Sequence, residues 1–71
     1  MSRTFSGKEV IRALKKLGYE ELYTQGSHVF LYNPDLRIKV VIPKHKELKK
    51  GMLHSILKKV GIRLEGLKKL V

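Results

Sequence analysis

An α+β fold, ordered helix, three antiparallel strands, helix, is what this sequence predicts, and three observations carry it. Apolar residues recur with helical period at Val10, Ile11, Ala13, Leu14 and Leu17. The period falls to two between Tyr19 and Pro43, and helical spacing returns at Met52, Leu53, Ile56, Leu57 and Val60. A chain of 71 residues has room for one domain, 1–71, with one thin core.

The first helix opens with Ser6-Gly7-Lys8-Glu9. The Ser6 hydroxyl can accept from the Glu9 amide while the Glu9 carboxylate reaches back to Ser6, which makes a capping box, and Phe5 with Val10 can staple the entry. Gly18 supplies the left-handed residue that stops the helix. Strands follow near 19–24, 28–33 and 36–42, separated by the turn formers Gln25-Gly26-Ser27 and Asn33-Pro34-Asp35. If Pro34 and Asp35 are the second loop, Asn33 faces Leu36, Leu31 faces Ile38 and Val29 faces Val40. That register makes one aliphatic face for helices to cover. The other face pairs Tyr32 with Arg37, Phe30 with Lys39 and His28 with Val41, so an exposed surface of histidine, aromatics and cations is expected.

The second helix should run from about Leu48 to Val60, with Gly61 ending it and Ile62 folding back onto it. The leucines of 64–70 have helical spacing, but Gly66 interrupts them at a cost of roughly 1 kcal/mol, so a short frayed final helix is expected. Both main helices then cover one sheet face and leave the other open. Double-stranded-RNA-binding domains share this order of elements, an analogy of fold that says little about chemistry.

Charge points to a partner. Sixteen Lys plus Arg against 6 Asp plus Glu give a formal net charge of +10. Between Leu36 and Val60 stand Arg37, Lys39, Lys44, Lys46, Lys49, Lys50, Lys58 and Lys59 against Glu47 alone. Such an asymmetry favours a basic face that attracts nucleic acid over an even coat that serves solubility. With no cysteine and three scattered histidines, neither a disulfide framework nor a metal site is expected. No apolar run approaches the roughly 20 residues of a membrane span. Met1-Ser2-Arg3-Thr4-Phe5 lacks the apolar stretch of a secretory signal. A soluble, cytoplasmic protein with no cofactor and no membrane partner is the expectation.

His28 begins the second strand on the open face. RNA cleavage needs a base for the 2′-hydroxyl proton, an acid for the leaving 5′-oxygen and cations for the charge building on phosphorus. An imidazole beside Lys39 and Arg37 supplies two of these, whereas an idle exposed histidine is the plainer reading. Gly26 lets backbone approach a phosphate, and the Ser27 hydroxyl can hold a phosphate oxygen or orient the imidazole, although ordinary turn chemistry explains both. Lys44, His45 and Lys46 close the third strand and suit a phosphodiester backbone. Phe30 and Tyr32 can stack unpaired bases. His54 falls off the apolar stripe and reads as solvated.

Taken in order, Ser6-Gly7-Lys8-Glu9, Gly26-Ser27-His28, Val41-Ile42-Pro43-Lys44-His45, and Gly51-Met52-Leu53 through Gly61-Ile62 resemble the HicA toxin family over nearly the whole chain. The resemblance implies a ribonuclease of a toxin–antitoxin pair, with a double-stranded-RNA-binding-domain-like fold, that cuts mRNA without a metal. It also implies a HicB-type antitoxin that occludes the active face. By position, His28 matches the family's catalytic histidine, Gly26 and Ser27 its motif neighbours, and His45 a second recurrent histidine. Two positions depart from the pattern. Thr24-Gln25 stands where members often carry a basic residue, which implies a weaker substrate grip. Met52 stands where many have Thr after the glycine, which bears on helix capping. A non-catalytic RNA-binding module is the competing reading, and it predicts salt-sensitive binding with the RNA left intact.

Overall fold

The computed structural model describes residues 4–71; most of the start sequence read for a leader, Met1 to Arg3, lies outside them. The elements are α1 (Gly7–Lys16), β1 (Glu20–Gln25), β2 (His28–Asn33), β3 (Ile38–Pro43), α2 (Lys50–Val60) and α3 (Leu64–Leu70). The strands form one antiparallel sheet in the order β1-β2-β3. Both α1 and α2 pack on β3, and α3 packs on α1. No described helix is long and apolar enough to cross a membrane.

Local chemistry sets α1 as the sequence predicts. The Glu9 amide donates to Ser6 Oγ at 3.1 Å and the Ser6 amide to Glu9 Oε1 at 3.0 Å, completing the capping box, while Phe5 and Val10 are both buried. At the other end the Gly18 amide donates to the Lys15 carbonyl and the Tyr19 amide to that of Leu14, with Gly18 at φ +98°. This double bond pattern around a left-handed glycine is a Schellman stop. It turns Leu17, expected on the buried stripe, out to solvent, and it puts Tyr19, expected at the start of a strand, into the core. Buried Asn33 helps to close the same end, its Nδ2 donating to the Leu17 carbonyl at 3.2 Å.

The loop between β2 and β3 is longer than the two residues expected. Asn33 Oδ1 accepts from the amides of Asp35 and Leu36, at 3.0 and 3.1 Å, and the Arg37 amide donates to the Asn33 carbonyl at 2.7 Å. Residues 34–37 therefore form the loop, with Arg37 in the left-handed region at φ +56°. Asn33 faces Ile38 instead of Leu36, and every pair below moves by two places: Tyr32 faces Lys39, Phe30 faces Val41 and His28 faces Pro43. A two-place slip preserves the alternation of faces, so Val29, Leu31 and Val40 are buried as predicted, Ile38 is half-buried at the loop end of β3, and Ile42 joins the core.

Helix α2 begins two residues later than expected, at Lys50, after an N-cap Lys49 that makes no side-chain cap bond. Leu53, Ile56, Leu57 and Val60 are buried, but Met52 is 46% exposed and leaves the expected stripe. Gly61 ends the helix at φ +75°, and the Ile62 amide returns to the Leu57 carbonyl at 3.1 Å. The tail is docked rather than frayed. Leu67 is fully buried, and Lys16 Nζ donates to the Leu70 carbonyl at 2.8 Å.

Candidate active site

The two-residue turn Gly26-Ser27 joins β1 to β2, with Gly26 at φ +61°, the left-handed first position that a type II′ hairpin turn assigns to glycine. His28 leaves this turn as the first residue of β2, between Gln25 of β1 and Pro43 of β3, and it is exposed. Alternation along β2 puts His28, Phe30 and Tyr32 on the face opposite to buried Val29, Leu31 and Asn33. The predicted outward aim of the histidine therefore holds.

Backbone bonds bring the basic segment after β3 to the same corner. The Lys44 amide donates to the Ser27 carbonyl at 2.7 Å, and the Gly7 amide donates to the His45 carbonyl at 2.9 Å. Glycine is required at position 7: a Cβ there would stand 2.0 Å from the Pro43 carbonyl oxygen. The start of α1, the end of β3 and the Gly26-Ser27 turn thus meet beside His28. Lys44, His45 and Lys46 are exposed in this corner. The Ser27 carbonyl is engaged there, whereas no hydrogen bond joins its hydroxyl to the imidazole among the described residues.

The middle of the open face holds an aromatic pair that the sequence reading half missed. Tyr23 and Phe30 stack with centroids 4.4 Å apart and planes 17° from parallel. Lys39 Nζ lies 5.5 Å from the Phe30 centroid and 5.9 Å from that of Tyr23, within cation–π reach of both. Lys39 is thus opposite Tyr32 by register but reaches Phe30 on the diagonal. Tyr23 joins the face because β1 bulges at Leu22, so that Glu21 pairs with Leu31 and Tyr23 already with Phe30. A bulge of this kind re-aims the side chains beyond it, and strict alternation from Tyr19 gave no sign of it.

Arg37 is not part of this arrangement. It lies in the loop past Asn33, the full length of β2 from His28, or roughly 17 Å at about 3.3 Å per residue. His54 is exposed on α2, as the spacing predicted. Among the described residues no group of three or more His, Asp or Glu side chains is placed to share a metal ion.

A family model described as the HicA toxin of bacterial toxin–antitoxin systems matches residues 7–62. The chain belongs to the HicA toxin family. The match starts at the glycine that α1 presses against Pro43 and ends at Ile62, just past the α2 stop, so α3 lies beyond the HicA match. Among curated proteins nothing matches the chain.

Proposed function

We propose that this HicA toxin is an endoribonuclease that cuts mRNA, with His28 as its proton-transfer group. One observation carries the reading: an exposed imidazole stands at the turn where Lys44 is bonded to Ser27, on the face that presents the Tyr23–Phe30 stack and Lys39. A base stacked on the aromatic pair would leave its ribose-phosphate within the reach of His28, since single strands are held by stacking combined with backbone cations. The 2′-oxygen attacks phosphorus as its proton passes to a base, and the 5′-oxygen departs with a proton from an acid. His28 performs one of these transfers. Lys39, Lys44 and Lys46 balance the negative charge on the phosphoryl oxygens, with Gly26 giving backbone access. The reading assigns no part to a metal: His28 supplies one transfer, Lys39, Lys44 and Lys46 supply the cations, and the second transfer falls to water or to His45, exposed at the same corner.

The open face is also where we place the partner. A HicB-type antitoxin of acidic character would cover Tyr23, Phe30 and Lys39 and so exclude RNA. The proposed substrate lies in the cytoplasm, and so does the proposed site of action.

Labelled RNA resolved on a gel tests the reading. His28→Ala should fold as the parent does, keep most RNA affinity and lose cleavage by roughly 10²–10⁴-fold, the usual loss for an acid–base group. Cleavage by the variant at the parental rate would remove His28 from the mechanism, and RNA left intact by the parent chain would favour a binding module without catalysis.

A further inference from the structure

A second basic surface lies outside the open face. Helices cover β2 and β3 but leave β1 bare: all six of its residues are exposed. On the covered side of the sheet this leaves a groove between α1 and β1, about 300 Å³ in volume, lined by Lys8, Ile11, Arg12, Lys15, Glu21 and Lys44. Residues 8, 12 and 15 stand at i, i+4 and i+7, so they share one face of α1, with the Cβ atoms of the first pair about 6 Å apart. Glu21 is the one carboxylate in the lining, and it pairs with Lys15 at 3.3 Å. Lys8, Arg12 and Lys44 have no ion pair among the described residues.

Lys44 connects the two surfaces. It lines the groove, and its amide is bonded to the turn that carries His28. Gly26, at the tip of that turn, has open space where a side chain would stand, so a strand can cross from one face of the sheet to the other there. The lining is four cations, one carboxylate and a nearly buried isoleucine. Protein interfaces deplete charge at their centre, whereas nucleic-acid interfaces are far more positive, and the composition here is of the second kind.

We propose that the α1–β1 groove holds the phosphodiester backbone of single-stranded RNA flanking the bond at His28, with Lys8, Arg12 and Lys44 on successive phosphates and Lys15 held in reserve by Glu21. The inference rests on the ribonuclease reading and extends it from one face to a path around the β1–β2 turn.

The test uses the full chain carrying His28→Ala, so that the RNA survives, with fluorescent oligouridines of about four and about 12 nucleotides, lengths that span the range one small domain occupies. In the double variant Lys8→Gln with Arg12→Gln, affinity for the longer oligomer should fall about tenfold or more at low salt. The slope of log affinity against log salt should flatten by about 1.4, at roughly 0.7 per phosphate lost. The short oligomer should be unaffected. Glu21→Gln should tighten the longer oligomer a few-fold by releasing Lys15. Equal loss for both lengths, or no loss for either, overturns the groove. Unchanged RNA binding with weakened binding of an antitoxin would make the groove a protein-docking face instead. If the chain with its groove intact binds neither length, the RNA reading of the open face falls and the groove falls with it; binding of both lengths that the double variant leaves unchanged removes the groove alone.

Discussion

Gly7→Ala should cost this protein more than any other single methyl group. The added Cβ would lie 2.0 Å from the Pro43 oxygen, 2.9 Å from its carbonyl carbon and 3.0 Å from Lys44 Cα, all backbone atoms that no rotamer change can move. Restoring an ordinary contact of 3.4 Å means withdrawing α1 from the end of β3 by about 1.4 Å. That shift would break the 2.9 Å bond from the Gly7 amide to the His45 carbonyl. Overpacking costs about 1–3 kcal/mol and the lost bond about 1, while the better helix propensity of alanine returns at most about 1. A net loss of about 1–3 kcal/mol lowers the melting temperature by about 5–20 °C in a domain of this size. The internal control is Gly66→Ala, where a Cβ meets nothing within 4 Å and the same propensity term should raise stability by about 0.5–1 kcal/mol. Circular-dichroism melts of the three proteins measure both effects. A Gly7→Ala variant that melts with its parent would show that α1 and β3 can separate freely, and the corner around His28 would lose its structural basis.

The remaining predictions concern single side chains. The Tyr19 hydroxyl is buried with no hydrogen-bond partner, so Tyr19→Phe should stabilise by about 0.5–1 kcal/mol in urea titrations at neutral pH. Burial also raises the Tyr19 pKa above its ordinary 10.0, so that above pH 10 the unfolded chain releases this proton more readily than the folded one. Stability should then decline with rising pH through that range, and less steeply in the phenylalanine variant; parallel declines would refute the assignment. Tyr23→Ala should weaken single-stranded RNA binding by about 1–3 kcal/mol in anisotropy titrations while leaving the melt nearly unchanged, because Tyr23 stacks on Phe30 from an exposed strand.

What the sequence made legible follows from the range of each interaction. The capping box at Ser6 and Glu9 and the stops at Gly18 and Gly61 are local, and each was readable within a few residues. The aim of His28 survived an error in register because the Asn33 loop shifted the strands by an even number. Other features depend on partners remote in sequence. Gly7 reads as an ordinary member of a capping box until Pro43 is set against it. Met52 and Leu17 satisfy helical spacing, yet both are exposed, Leu17 because it is the C-cap at the Schellman stop of α1. Tyr23 and Arg37 exchanged places as candidates, one brought in by the Leu22 bulge and the other carried off by a four-residue loop. The Lys8, Arg12, Lys15 stripe escaped a reading of charge that looked between Leu36 and Val60, and its meaning needed the empty space beside β1.

That bare outer strand also bears on how the protein behaves at high concentration. An unsheltered edge ordinarily invites the sheets of neighbouring molecules to join. Here Glu20 and Glu21 put two carboxylates on the border strand, and the bulge at Leu22 breaks its regular register with β2 in the first half. A chain kept ready to bind polyanions can therefore leave this border uncovered without assembling into fibres.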